Sequence, residues 1–144
     1  LFGSDYKFEI GRGVKLADGN DVSIIATGIE VEQALLAREL LAADGIKASV
    51  VNMATIKPLD KKLVLEEAAR CGCIVTCEEH SVIGGLGAAV CEAVCEEYPV
   101  PVLRVGVNDV FGRSGPAKEL VSYFGLDAAA IAAKAKDAVK IKRK

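Results

Sequence analysis

CIVTCEEHSVIGGLGAAVCEAVCEEYP, residues 73–99, joins a short apolar run to a helical pattern through a cluster of glycines. The run Cys73–Cys77 is apolar almost throughout, which is typical of a strand buried on both faces. A helix is predicted over Leu86–Tyr98, and it ends there because Pro99 disfavours helical geometry in the residue before it. A buried strand followed by a helix is the repeating unit of a parallel sheet covered by helices, so this stretch predicts an α/β domain.

The same alternation of strands and helices continues on both sides of this stretch. Apolar or β-branched runs predict four further strands. The one nearest the start of the domain has the weakest pattern. Asp60 and Asp127 are predicted N-caps, because an aspartate side chain accepts hydrogen bonds from first-turn N–H groups. This order of elements is typical of a three-layer α/β/α domain. The other predicted strands are 12–16, 22–26, 48–51 and 102–105, and the other predicted helices, with their caps, are 30–43, 60–70, 117–124 and 127–139.

Composition limits the class of protein. The chain has 144 residues, a formal net charge of −2, 51% apolar residues and 26% charged residues. These values describe one folded domain and offer no broad basic surface to nucleic acid. No apolar run approaches the roughly 20 residues that span a bilayer, so we predict no membrane segment and a cytoplasmic location. Residues 1–10 are predicted to be a linker from an upstream domain, and residues 11–144 are predicted to be the domain itself.

The five cysteines do not predict a metal site. Their odd number, without a secretory signal, predicts reduced thiols. The spacings Cys71-x-Cys73 and Cys91-x-x-x-Cys95 do not match the paired C-x-x-C pattern of structural zinc sites. We therefore expect the cysteines to pack as small apolar side chains.

Two predicted loops mark the place where a ligand would bind. In open α/β sheets, ligands favour the carboxyl ends of the strands where the strand order reverses, because neighbouring loops part there. One such loop follows the strand 22–26, and the other follows the strand 73–77. The candidate residues for this crevice or anion site are Thr27, Gly28, Glu78, Glu79, His80, Gly84, Gly85 and Gly87.

The glycines of the second loop have two interpretations. Gly84, Gly85 and Gly87 precede a helix, whose first N–H groups and dipole favour an anion. The loop has neither a G-x-G-x-x-G nor a P-loop pattern, and Glu78 and Glu79 would repel a phosphate. The glycines alternatively allow a tight turn and close packing of the helix on the sheet, and we favour this second interpretation.

His80 also has two interpretations. An imidazole exchanges protons near neutral pH, and Glu78 or Glu79 is near enough in sequence to orient it for general acid/base chemistry. No nucleophile motif accompanies it, since Ser81 is merely the next residue. A histidine hydrogen-bonded to backbone at a strand end is the simpler interpretation.

Four stretches together resemble the C-terminal domain of the transketolase family of thiamine-diphosphate enzymes. They cover nearly the whole chain from Gly11 to about Ile131. The wider family includes deoxyxylulose-phosphate synthase and the β subunits of 2-oxoacid dehydrogenases, but EEHSVIGGLG with DVFGRSG most resembles transketolase itself or its split C-terminal subunit. The stretches are DVSIIATGIEVEQAL (21–35), NMATIKPLD (52–60), IVTCEEHSVIGGLGAAV (74–90) and VGVNDVFGRSGPAKELVSYFGL (105–126).

The resemblance implies a five-stranded mixed sheet of order 1-3-2-4-5 with strand 1 antiparallel to the others. It also implies that thiamine diphosphate and magnesium are bound by two domains that precede this one. The sequence lacks the G-D-G…N-type motif that holds magnesium and the diphosphate in such enzymes. The resemblance therefore places no catalytic or cofactor-binding residue on this chain.

Two functional hypotheses follow from the sequence. In the first, the chain is part of a transketolase that transfers a two-carbon ketol unit between sugar phosphates. Its partners are then the upstream domains or an N-terminal subunit, the complete enzyme is a homodimer, and this domain stabilises the assembly without catalysing the reaction. In the second, the chain is a free-standing module that binds a small anion in the predicted crevice. A domain of deoxyxylulose-phosphate synthase or of a 2-oxoacid dehydrogenase β subunit is the alternative within the family.

Overall fold

The computed structural model describes residues 2–144, which form five strands and five helices. The first residue of the predicted linker, Leu1, lies outside this range. The strands are β1 (Val14–Ala17), β2 (Val22–Ala26), β3 (Ala48–Asn52), β4 (Ile74–Ser81) and β5 (Val102–Val107). The helices are α1 (Glu30–Ala43), α2 (Lys61–Cys71), α3 (Leu86–Glu97), α4 (Ala117–Tyr123) and α5 (Ala128–Lys140).

All five strands form one sheet of order β1-β3-β2-β4-β5. β1 pairs with β3 in the antiparallel direction, and the other neighbouring strands are parallel. This arrangement confirms the fold class and the strand order that the family resemblance implies. Only β2 has the predicted bounds. The largest difference is in β4, which continues past Cys77 to Ser81, while β1 begins two residues later and β5 ends two residues later than predicted.

The sheet separates two apolar cores, which accounts for the apolar character of its strands. α1 and α5 cover one face, and α2 and α3 cover the other. Ile24 packs in the first core and Ile25 in the second, because successive side chains of a strand point to opposite faces. Every residue of β2 is buried. The three layers thus enclose β2 on both sides, as expected for a central parallel strand.

The helices begin and end close to the predicted positions. Asp60 accepts a hydrogen bond from the N–H of Leu63 at 3.1 Å, and Asp127 accepts one from the N–H of Ala130 at 2.9 Å. Both predicted N-caps are therefore confirmed. Within residues 2–144, no helix combines the length and the apolar character that crossing a membrane requires.

Glu67 fixes helix α2 to the amino ends of the strands. Ser23 of β2 donates a hydrogen bond to its carboxylate at 2.8 Å, and Ser49 of β3 donates to the same oxygen. Lys15 Nζ and Arg70 Nη2 lie 2.9 and 2.6 Å from the other oxygen. Burial raises the pKa of Glu67, but these hydrogen bonds outweigh burial and hold the pKa below its usual value. The buried carboxylate is thus ionised and well partnered, and it joins α2 to three strands.

The chain enters the domain at the edge of the sheet where the parallel strands end. Val14, the first residue of β1, pairs with Asn52, the last residue of β3. Just before β1, the N–H of Gly11 donates to Thr55 Oγ1 and the N–H of Gly13 donates to Asp60 Oδ2, each at 2.9 Å. We call this edge, where β2, β3, β4 and β5 end, the carboxyl edge.

Candidate functional site

The two predicted crevice loops lie side by side at the carboxyl edge. β2 and β4 are parallel neighbours, as predicted. The N–H of Thr27, directly after β2, donates to the carbonyl oxygen of Cys77 at 3.1 Å. Gly28 follows with a φ of +63°, in the left-handed region that favours glycine. The chain then turns directly into α1, so the first loop is short and held against β4.

The second predicted loop starts later than expected. Glu78, Glu79 and His80 belong to β4, so the prediction that they form a loop is wrong. Their strand is irregular there, because Cys77 pairs with Val105 whereas Ser81 pairs with Val107. A bulge of this kind bends a strand and redirects its side chains.

Glu78 occupies the N-terminus of helix α3. Its side chain is 1% exposed, and its two oxygens accept hydrogen bonds from the N–H groups of Leu86 at 2.9 Å and Gly87 at 2.8 Å. A helix leaves its first N–H groups without partners, and their partial positive charge favours a carboxylate. The anion at this helix terminus is therefore a side chain of the preceding strand.

The glycines bring the backbone close enough for this contact. A Cβ atom on Gly85 would overlap Glu78 Oε1. A Cβ atom on Gly87 would lie 2.8 Å from Thr76 Oγ1 and 2.7 Å from Arg104 Cδ. These contacts support the interpretation of the glycines as a tight, closely packed turn. They give no support to an external anion at the N–H groups of Leu86 and Gly87, since Glu78 already binds both.

His80 lies beside this cap but is not arranged as a catalytic base. Its side chain is 67% exposed, and Nδ1 lies 2.9 Å from the carbonyl oxygen of Ser81, to which it donates. The same nitrogen is 3.8 Å from Glu78 Oε1. The Ser81 hydroxyl accepts a hydrogen bond from the N–H of Ile83 at 3.2 Å. Within the described residues, His80 is therefore hydrogen-bonded to backbone rather than to a nucleophile.

A second buried carboxyl group, Glu30, was missed by the sequence analysis. It is the first residue of α1, directly after the Gly28 turn, and it is fully buried. Within residues 2–144, neither of its carboxyl oxygens has a hydrogen-bond partner. Burial, and then the charges of Glu79 and Asp127, raise its pKa to about 7. Acidic residues are also common in the first turn of exposed helices, so no local sequence signal indicates this burial.

The described residues do not fit a magnesium–diphosphate site. Residues 2–144 hold no group of three or more His, Cys, Asp or Glu side chains that is arranged to hold a metal ion. The N-terminus of α3 is capped by Glu78. The charges of Glu79 and Asp127, which help to raise the pKa of Glu30, are negative, and negative charge repels a diphosphate.

Comparison with known proteins places these features in a family. The family model described as "Transketolase, C-terminal domain" matches residues 11–131. A Methanocaldococcus jannaschii protein, provisionally named a transketolase C-terminal section, is 49% identical over 92% of this chain and 42% of its own length. A 1-deoxy-D-xylulose-5-phosphate synthase from Geobacter sulfurreducens is 48% identical over 86% of this chain and 20% of its own length.

A solved structure also resembles this chain closely in both sequence and fold. A split-gene transketolase, solved as an inactive β4 tetramer, matches with a TM-score of 0.95 and 51% identity. The match covers 99% of this chain and 46% of the solved chain. The present chain thus spans less than half the length of each of these three proteins.

The hydrogen bonds of Glu78 to the N-terminus of α3 should stabilise the folded domain. We expect Glu78→Ala to lower the free energy of unfolding by about 2–4 kcal/mol, because it leaves the buried N–H groups of Leu86 and Gly87 without an acceptor. Gly85→Ala should destabilise the parent by displacing the same carboxylate. In the Glu78→Ala background it should cost much less, since the space is then free. Urea unfolding of the four proteins in this double-mutant cycle measures the coupling.

Glu79→Ala is the matched control, since Glu79 is the next residue and is exposed. It should change the free energy of unfolding by less than about 0.5 kcal/mol. Equal losses for Glu78→Ala and Glu79→Ala, or strictly additive losses for Glu78→Ala and Gly85→Ala, would show that the cap does not stabilise α3.

The raised pKa of Glu30 should make the free energy of unfolding depend on pH. The unfolded chain ionises this group near pH 4.5, whereas the folded chain keeps it protonated until about pH 7. Its contribution to stability is therefore largest below pH 4.5, falls as the pH rises to 7, and is then lower by about 3 kcal/mol. Glu30→Gln should remove this loss, so that its stability relative to the parent rises between pH 4.5 and pH 8. Urea unfolding at both pH values measures the difference.

Glu32→Gln provides the control, because Glu32 is exposed in the same helical turn. Its stability relative to the parent should stay constant with pH. A Glu30→Gln variant that behaves in the same way would disprove the raised pKa.

Proposed function

Because this chain belongs to the family of transketolase C-terminal domains, we propose that it is the C-terminal domain or subunit of a thiamine-diphosphate-dependent transketolase. The complete enzyme would transfer a two-carbon ketol unit between sugar phosphates. The observation that carries the proposal is the similarity to the split-gene transketolase, which extends over nearly every residue of this chain. Sequence and fold agree in that comparison, so it supports more than a shared architecture.

The role proposed for this domain is to stabilise the assembly rather than to catalyse the reaction. Glu78, the most buried carboxylate of the predicted crevice, is used to cap α3. His80 donates to a backbone carbonyl, and no described cluster fits a metal ion. We therefore assign thiamine diphosphate and magnesium to other domains of the enzyme.

The partners in this proposal are the parts of the enzyme that this chain does not contain. The relatives are more than twice as long as the matching region, which leaves room for upstream domains or an N-terminal subunit. Residues 1–10 would connect to them, and residues 11–144 would form the C-terminal domain. A homodimeric, cytoplasmic enzyme completes the proposal.

A second candidate is the C-terminal domain of a 1-deoxy-D-xylulose-5-phosphate synthase. The Geobacter sulfurreducens protein favours it, since its identity to this chain is almost as high as that of the transketolase section. The two activities differ in chemistry. The synthase is named for forming 1-deoxy-D-xylulose 5-phosphate, whereas a transketolase transfers a two-carbon ketol unit between sugar phosphates.

Activity assays of the complete enzyme that contains this domain test the proposal. With thiamine diphosphate and magnesium, we expect transfer of a ketol unit from xylulose 5-phosphate to ribose 5-phosphate. Coupled enzyme assays follow this transfer, and mass spectrometry of the products tests for 1-deoxy-D-xylulose 5-phosphate, which we do not expect to form. Formation of that product without ketol transfer would refute the transketolase assignment in favour of the synthase.

His80→Ala in the same enzyme tests the non-catalytic role. We expect kcat and KM to stay within about twofold of the parent values, because the side chain is exposed and bonded to backbone. Loss of a general acid or base lowers the rate by about 100-fold or more. Such a loss in a correctly assembled variant would place His80 in the catalytic site.

A further inference from the structure

Three large apolar side chains stand in solvent at the carboxyl edge, beyond β4 and β5. Ile83 is 62% exposed, Val110 is 58% exposed, and Phe111 is 100% exposed. We call these residues the carboxyl-edge patch. An exposed group of apolar side chains on a folded domain is typical of a surface that contacts another protein.

The two loops that carry the patch are held together. The N–H of Val82 donates to the carbonyl oxygen of Val107 at 3.0 Å, and Arg104 Nη1 donates to the carbonyl oxygen of Val82 at 2.9 Å. Gly106 permits this approach, since a Cβ atom there would lie 2.8 Å from Val82 Cγ1. The loop with Ile83 is therefore fixed beside the end of β5, from which the loop with Phe111 departs.

Local hydrogen bonds also direct the patch away from the core. The Ser81 hydroxyl accepts from the N–H of Ile83 at 3.2 Å. The N–H of Asp109 donates to the carbonyl oxygen of Val107 at 3.2 Å, and Asp109 has a φ of +26°. Few residues other than glycine adopt a positive φ, and aspartate is among those that do. The chain thus makes a tight turn at Asp109 and leaves Phe111 outside the fold.

The entry of the chain lies at the same edge of the sheet. Because β1 is antiparallel, Val14 lies next to Asn52 at the end of β3. The hydrogen bonds of Gly11 to Thr55 and of Gly13 to Asp60 hold the preceding backbone there. Any domain that precedes this one is therefore tethered at the carboxyl edge.

A preceding domain attached beside β1 is large enough to reach the other end of the carboxyl edge. β1 and β5 are the two outer strands of the five-stranded sheet. At about 4.8 Å between neighbouring strands, the edge is about 19 Å wide. A compact domain of about 100 residues has a radius of gyration of about 13 Å. A domain tethered beside β1 therefore extends far enough to cover the ends of β4 and β5.

We propose that the carboxyl-edge patch is the docking surface for the domain that precedes this one in the transketolase polypeptide, and that it receives an apolar surface of that domain. The inference rests on the proposed function, which supplies the preceding domain. Other open α/β domains bind small ligands at this edge of the sheet. In this domain the same edge would instead contact another domain. Glu78, Gly85 and Gly106 then serve to hold the docking loops in place.

Hydroxyl-radical footprinting of the complete enzyme, read by mass spectrometry, tests this surface. The oxidation rate of Phe111 in the complete enzyme should be at least about fivefold lower than the rate expected for a fully exposed phenylalanine. Leu40, which is 48% exposed on α1, should react in proportion to its exposure. Phe111→Gln should weaken docking and raise the oxidation of Ile83 at least about threefold, whereas the matched Leu40→Gln should leave it unchanged.

The outcomes separate this inference from the proposed function. An enzyme that transfers ketol units while Phe111 reacts as a fully exposed residue would overturn the inference and leave the function standing. Cross-links from Lys118 that join two copies of this domain, together with protection of Phe111, would overturn it in favour of a second copy. Protection of Phe111 by the preceding domain in an enzyme without ketol transfer would support the docking surface and count against the proposed function alone.

Discussion

The hydrogen bonds from Leu86 and Gly87 to the buried carboxylate of Glu78 fix the junction between the sheet and helix α3. The contact requires β4 to continue through a bulge and requires Gly85 to have no side chain where the carboxylate lies. Gly106 accommodates the same bulge from the neighbouring strand. One pair of hydrogen bonds therefore determines the shape of two loops at the carboxyl edge. It also uses the helix terminus at which an external anion would otherwise bind.

Glu30 and Glu78 show how differently one edge of the sheet treats two buried carboxyl groups. Glu78 is satisfied by two backbone N–H groups, whereas Glu30 has no partner within residues 2–144 and faces the charges of Glu79 and Asp127. A buried carboxylate is stable only when its lost hydration is replaced. Glu78 therefore stabilises the fold through two hydrogen bonds, whereas Glu30 stabilises it better with a proton. The carboxyl edge carries the charges of Glu79 and Asp127 near Glu30, and it is apolar at Ile83, Val110 and Phe111, which favours contact with a protein surface over binding of a phosphate.

Much of the fold was predictable from the sequence because its signals are local. The N-caps Asp60 and Asp127 and the apolar run of β2 depend on neighbouring residues and were identified correctly. The strand order came from the family resemblance, since the residues themselves do not specify which strands pair. The extension of β4 through polar residues was missed, because it depends on pairing with β5. The burial of Glu30 was missed for a similar reason, since its neighbours Glu79 and Asp127 belong to β4 and to the start of α5, which lie far from it in sequence.

We propose that the N-terminus of α3 takes up no external anion, because Glu78 already accepts the hydrogen bonds of Leu86 and Gly87. Titration of the folded chain with inorganic phosphate, followed through the backbone amide resonances of Leu86 and Gly87, tests this proposal. We expect neither resonance to move as phosphate reaches about 20 mM, because the carboxylate occupies both N–H groups. Saturable shifts of both resonances would contradict it, since they would show that an external anion takes the place of the carboxylate.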